Sequence, residues 1–341
     1  MVLNALVDPL ERGWGDNRVV RDTGARHPIL QAPMTWIARA QLASAVSAAG
    51  GLGILESTSA DLDMSQREFF AFKAATSAPF GVNLPVRFLK ANESEEGRII
   101  SWLIGQGVRF VTTSAGDPRR YVGTLKAAGI TVYHATPTLE GALKAEDAGV
   151  DGLIVEGAES AGIRAPDGPH SFVLLQAVRE RCALPIVAAG GIVDGRGMAA
   201  AFALGAEGVT MGTRFVASAE SPVNPAYKAA ILAAGPSGTL VVPQPPRAIM
   251  RVLKTRLSQL VHAGEDSASG TRNTIQMLYV EGDVDNTMGT AGESAGLIHA
   301  IKPVSEIIRE TVQGFWREID RLAALRDVSH YPGPDISNPA R

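Results

Sequence analysis

Two glycine segments in this 341-residue chain have the residue types and spacing to do chemistry: Ala189-Gly190-Gly191, which ends the apolar run beginning at Pro185, and Met211-Gly212-Thr213, inside Gly208–Phe215. Glycine lets backbone approach a ligand closely, and amides left unpaired where a strand ends and a helix starts favour an anion. Either segment alone reads equally as a tight strand-to-helix turn. In succession they predict a phosphate cradle built from two neighbouring loops, with the helix start after Gly191 contributing its dipole. No G-x-x-x-x-G-K-[ST] occurs, so nucleotide hydrolysis is not expected. Asn83, in Phe80-Gly-Val-Asn-Leu84, closes another apolar run with an amide that both donates and accepts. Gln31-Ala-Pro-Met34 offers backbone that could lie along a planar ligand.

The titratable residues are less directive. None of the six histidines has metal-ligand spacing such as H-E-x-x-H, so no metal is expected. His170, in Asp167-Gly-Pro-His-Ser171, lies in a segment that could fold it toward a catalytic face, against the plainer reading of a helix-start or surface residue. His27 precedes Pro28 and is expected to order the start of the first strand; His262 and His299 fall outside the repeat described below, and His330 lies near the tail. Ser114 and Ser160 show no His-Asp partners for a nucleophile. Arg164 and Arg251 are candidates for a substrate phosphate or carboxylate, Arg251 belonging to the small basic cluster Arg251-Val-Leu-Lys-Thr-Arg256.

Eight short apolar runs must position these residues: Ile29–Met34, Leu52–Leu55, Phe80–Leu84, Arg109–Thr113, Thr131–His134, Gly152–Glu156, Ile186–Ala189 and Gly208–Met211. Helically spaced stretches such as Ala38–Ala49 and Ala142–Ala148 lie between many of them, the alternation of βαβ units with a parallel sheet. Gly50, Gly129, Gly149 and Gly205 each stand where a helix would end in the left-handed conformation. The fold class expected is α/β, a (β/α)8 TIM barrel; a doubly wound open sheet would give similar signals. The rhythm fails after Phe215, and residues 220–290, with their prolines, read as an inserted lid-like region without clear strand–helix alternation. Residues 1–219 would form the barrel, and 291–341 a C-terminal helix and irregular tail, helical over Ser294–Leu325 with Ile298, Ile301, Ile307, Ile308, Val312 and Phe315 on one face.

Composition agrees with small-molecule chemistry. A net charge of −3 gives no positive field for nucleic acid or an anionic membrane, and no apolar stretch reaches a bilayer-spanning length. The single cysteine, Cys182, can form no intramolecular disulfide and is read as a core filler. With no signal-peptide pattern at its start the chain is expected to be cytoplasmic; the sequence sets no oligomeric state, and a homo-oligomer is among those it allows.

As a set, His27-Pro-Ile-Leu-Gln-Ala-Pro-Met34, Gly81-Val-Asn-Leu84, Gly149–Glu159, Ala188-Ala-Gly-Gly191 with Asp194-Gly-Arg-Gly197, and Met211-Gly-Thr-Arg-Phe215 resemble the nitronate monooxygenase family, formerly 2-nitropropane dioxygenases. That family also holds NADH:quinone reductases and flavin-dependent enoyl reductases. The resemblance spans roughly residues 27–235 and continues more weakly through Gly282–Ile298. It implies a TIM barrel with FMN against Pro33, Met34, Asn83, His134, Glu156, Ala189, Gly190, Gly191, Met211, Gly212 and Thr213. Many members carry a lysine at the position of His134 and a catalytic histidine at the position of Ile163, in Glu159-Ser-Ala-Gly-Ile-Arg-Ala165. An isoleucine can neither move a proton nor hold a charge.

Two chemistries follow from the resemblance. In one, a nitronate reduces the flavin and dioxygen reoxidises it. In the other, NAD(P)H is the electron donor and an enoyl or other acyl-CoA thioester, or a quinone, is the acceptor, which the loss of the histidine favours. A protein that binds FMN without redox turnover is the reading from a different class. A phosphosugar barrel shares the cradle but gives no use to Asn83 or Gln31–Met34.

Overall fold

Eight strands pair in parallel, each at one of the runs read from the sequence: β1 Ile29–Gln31, β2 Gly53–Leu55, β3 Phe80–Pro85, β4 Phe110–Ser114, β5 Thr131–Thr136, β6 Gly152–Glu156, β8 Ile186–Ala189 and β9 Gly208–Met211. The sheet closes because β1 pairs with β9 on one side and reaches Leu52, ahead of β2, through a Leu30–Leu52 bridge on the other. The result is a (β/α)8 barrel. These features come from a computed structural model that describes residues 8–57, 62–86, 93–114, 116–244, 248–265 and 275–325.

The strands are rich in apolar residues because both faces are buried, with polar side chains such as Asn83, Thr112 and Glu156 toward their C-terminal ends. Leu30, Leu52, Ile54, Phe110, Tyr133, Ile154, Val187 and Ala189 fill the barrel interior. Ile29, Leu55, Val82, Val111, Val132, Leu153, Ala188, Val209 and Met211 face the helices. The helices are α1 Arg18–Thr23, α2 Ala40–Ala48, α3 Leu62–Ala75, α4 Glu93–Gly105, α5 Arg119–Ala127, α6 Leu139–Asp147, α7 Ser171–Arg181, α8 Gly195–Ala203, α9 Thr213–Val216, α10 Pro225–Ala233, α11 Arg256–Ala263 and α12 Val304–Ala324. α1 closes the barrel floor: Val19 joins the interior cluster, and Tyr133 Oη donates to Asp22 Oδ2 at 2.9 Å. Gly50, Gly129, Gly149 and Gly205 all sit at positive φ, as helix-ending glycines should. Cys182 is buried, and burial pushes its thiol up to about 11, leaving it protonated and inert.

The segment 220–290 departs from expectation, because its described residues carry regular structure. Asn224 caps α10, with Pro225 in its first turn. β10 Thr239–Gln244 and β11 Ala248–Leu253 pair antiparallel, and β11 pairs in turn with a three-residue strand, β7 Gly162–Arg164, that follows β6. This small sheet ties the insertion to the barrel mouth. Thr255 and Ser258 form a capping box that starts α11. The C-terminal helix begins at Val304, not Ser294: residues Glu293–Leu297 are 3-10 helix, and Pro303 disfavours helix in the residue before it. Ile298, Ile307, Ile308, Val312 and Phe315 are buried as expected, whereas Ile301 precedes the helix and is exposed. His330 and the tail lie outside the described residues. No described helix is long and apolar enough to cross a membrane.

Candidate active site

Alternation along the strands decides which side chains reach the mouth above the interior cluster. Gly81 faces inward, since a Cβ there would meet Phe110 and Ile54, so Asn83, two residues on, faces the same way. Its Oδ1 accepts from Thr112 Oγ1 at 2.9 Å and Ser114 Oγ at 3.4 Å, and its carbonyl accepts from Ser57 Oγ at 2.6 Å. The amide is thereby oriented with its NH2 as donor. Glu156 follows Ile154 on the inner face of β6, and Ala189 ends β8 there.

Around this mouth lies a cradle. Gly190 and Gly191 adopt φ of 110° and 72°, a left-handed turn that a side chain would strain. A Cβ on Gly190 would stand 2.7 Å from Ser160 Oγ and 3.0 Å from Glu159 Oε1. Gly212 faces the end of β1, where a Cβ would lie 3.5 Å from Ala32 Cβ and 3.8 Å from Met34 Sδ. Thr213 opens α9, whose first amides have no partner within the helix, and its Oγ1 accepts from Gly292 N at 3.0 Å. Ser160 Oγ and Thr210 Oγ1 are buried hydroxyls with no hydrogen-bond partner. Open glycine backbone beside unpaired donors fits a phosphate-bearing ligand. At the α8 N-terminus Asp194 caps the helix, its Oδ1 accepting from Arg196 N and Gly197 N, both at 3.0 Å.

Other predicted residues stand in arrangements the sequence did not disclose. Pro33 and Met34 sit in the turn after β1, held by Ala32 N donating to Met211 O and Ala38 N to Met34 O. Met211 turns its side chain to the helix layer and can meet a ligand only through backbone. His134 corrects the expectation of a ring at the mouth: it shares the outer face of β5 with Val132, its Nδ1 lying 2.8 Å from Thr113 Oγ1. Burial lowers its pKa to about 4, so it is neutral.

Arg164, expected to hold a substrate anion, is only 4% exposed and already has a carboxylate partner. Its Nη1 lies 2.6 Å from Glu156 Oε2 and its Nη2 2.7 Å from Glu156 Oε1. Arg251 is tied likewise, to Glu293 Oε1 at 3.1 Å, Ala158 O at 3.2 Å and Thr239 Oγ1 at 3.2 Å. His170 is the N-cap residue of α7, exposed, with Nε2 3.9 Å from Glu293 Oε1. Ile163, paired with Met250 in the small sheet, is 49% exposed.

Sequence reasoning missed Trp36, which holds a left-handed φ of 64°, donates its N–H to Glu56 Oε1 at 2.9 Å and stacks on Tyr279 at 5.5 Å. It also missed Glu159, whose carboxylate accepts from Ser171 N at 3.1 Å and from the Ser171 hydroxyl. Among the described residues no three His, Cys, Asp or Glu side chains gather as a metal site requires.

Residues 18–314 match the model of a family described as nitronate monooxygenase. The chain is 37% identical over 244 residues to the (3aS,4S,5R,7aS)-5-hydroxy-7a-methyl-1-oxo-octahydro-1H-indene-4-carboxyl-CoA dehydrogenase of Mycobacterium tuberculosis, covering 71% of this chain and 67% of that protein. It is 33% identical over 256 residues to a nitronate monooxygenase of Pseudomonas aeruginosa, covering 63% of this chain and 73% of that one. Among solved structures, FabK from Thermotoga maritima aligns with a TM-score of 0.84 at 37% identity, over 91% of this chain and 99% of that one.

Proposed function

The chain belongs to the nitronate monooxygenase family, an oxidoreductase family of enzymes, and from that premise we propose that it is an FMN-dependent oxidoreductase that exchanges two electrons between NAD(P)H and an acyl-CoA thioester. The observation that carries the choice of substrate is Ile163: where catalytic relatives of the resembled pattern have a histidine, an apolar, half-exposed side chain stands on β7. A nitronate route served by that histidine lacks its proton carrier here. An apolar wall at the same point suits a substrate whose reacting carbons lie in a hydrocarbon portion. The CoA thioester named for the mycobacterial relative supports that class.

Gly190, Gly191, Gly212 and Thr213 would hold the FMN phosphate; Pro33, Met34, Asn83, Glu156, Ala189 and the Met211 backbone would line the rest of the cofactor. Bound FMN would supply the hydride chemistry that no protein side chain can perform. The protein's own groups orient and insulate. Asn83, fixed by Thr112 and Ser114, presents an NH2 donor to a ring edge. Glu156 and Arg164 cancel each other's charge, so neither is a free base or a free anion site. Ile163, half-exposed on β7, would offer an apolar contact to a substrate at that point.

The test is anaerobic mixing of holoprotein with NADH, with NADPH and with an alkyl nitronate, following the visible band of the oxidised flavin. Bleaching by a pyridine nucleotide and recovery on adding an enoyl-CoA is the expected result. Bleaching by the nitronate alone would overturn the thioester reading and return the chain to the chemistry of the family's name. A colourless protein that takes up no FMN would overturn the flavin itself.

A further inference from the structure

We propose that the Ser160 hydroxyl is a ligand of the cofactor phosphate, so that the loop after β6 closes a cradle whose other sides are Gly190-Gly191 and the start of α9. The inference rests on the FMN reading above and names a donor outside the glycine segments. Ser160 is 8% exposed, its Oγ is buried without a partner, and it stands 2.7 Å from where a Cβ on Gly190 would be. A buried hydroxyl with nothing to bond is unfavourable, and hydroxyls so placed in folded proteins ordinarily meet a ligand or water.

Hydrogen bonds fix the backbone that carries this hydroxyl. Ser160 N donates to Gly157 O at 3.0 Å, and Ser160 O accepts from Arg164 Nε at 3.2 Å. Glu159 O accepts from Glu293 N at 2.9 Å, which pins the same loop to the segment ahead of α12.

The neighbouring charge decides the ligand's place. Glu159 Oε1 lies 3.0 Å from the same Cβ position, and its carboxylate caps α7 through Ser171. A phosphate cannot rest against that carboxylate, so within this corner it must lie toward the hydroxyl. A phosphate oxygen offers only acceptors, and Ser160 Oγ–H is a donor with none. The serine reads as a failed nucleophile in the sequence because it has no His-Asp partners; in the fold the lack of partners is what leaves the hydroxyl free to bind.

The experiment compares FMN with riboflavin, which lacks the phosphate, on apoprotein by quenching of flavin fluorescence. Ser160→Ala is expected to weaken FMN about tenfold and to leave riboflavin unchanged. Equal weakening of both flavins would put the hydroxyl on the ribityl chain or ring and overturn the assignment, as would unchanged affinity for both. Ser160→Gly, which removes the same hydroxyl with no added methyl, must give the same pattern, and far-ultraviolet circular dichroism of each apoprotein confirms that the barrel is intact. Wild-type apoprotein that binds neither flavin would refute the FMN reading as well, a failure distinct from a change confined to the variants.

Discussion

Arg164 is a cation with almost no water around it, and its guanidinium is held by one loop and one strand end. Its guanidinium meets Glu156 with both Nη atoms and donates to Ser160 O and Ala161 O. An isolated charge in that place would cost several kcal/mol, and the bidentate pair offsets it. The side chain thus braces the turn that carries Ser160 and fixes the carboxylate at the mouth. Removing either partner leaves the other unsatisfied, and Arg164 suffers more because Glu156 keeps a third of its side chain in water. Glu156→Gln and Arg164→Met are each expected to destabilise the protein, with a coupling of about 1–3 kcal/mol in the double-mutant cycle. Urea unfolding of the four proteins measures it. Effects that add to within about 0.5 kcal/mol would mean the pair contributes nothing beyond its separate members.

Among elements, the legible ones are those whose pattern is local. Gly152–Glu156, Ile186–Ala189 and Gly208–Met211 have the boundaries their apolar runs suggest, because each run is a buried strand bounded by turn residues. β7 was not legible: three residues become a strand only by pairing with β11, which lies far along the chain. The other neighbour of β11, β10, carries Pro243, a residue that argues against a strand, yet β10 is the edge of its sheet, where a missing N–H is tolerated. His134 could have been placed correctly, since an inward Tyr133 sends the next side chain outward. The Arg251–Glu293 pair has no sequence signature at all. The contact between α8 and α12 is similarly invisible in either helix alone. Gly195 opens α8 against the backbone of Gly314 and Phe315, so close that a Cβ would overlap both residues. Gly195→Ala should therefore push α12 outward and lower stability by about 1–3 kcal/mol, read as a fall in melting temperature. An unchanged melting temperature would mean that the two helices can separate freely.

At the scale of the molecule, two buried histidines link folding to pH. His27, ahead of β1, accepts from Trp14 Nε1 at its Nδ1 at 3.3 Å, and His134 lies between β5 and the helix layer. Burial lowers both to about 4, further helped at His27 by the neighbouring Arg26 charge. An unfolded chain titrates its histidines near 6.5 and so binds more protons than the folded one between these values. The stabilisation is fully present above about pH 6.5 and is lost as pH falls toward 4, at most about 3 kcal/mol for each ring. Two such terms are large against the roughly 5–15 kcal/mol that holds a domain folded. A carboxylate adds to the slope: Glu207, against Arg18, is lowered from its ordinary value despite the opposing effect of burial, so its contribution too is lost as pH falls through its folded value. Urea midpoints are therefore expected to fall from pH 7 to pH 4.5, and His134→Gln, which cannot titrate, should flatten part of that slope. Equal midpoints at the two pH values would show that both rings take up protons in the folded barrel as readily as in the unfolded chain, contrary to their burial.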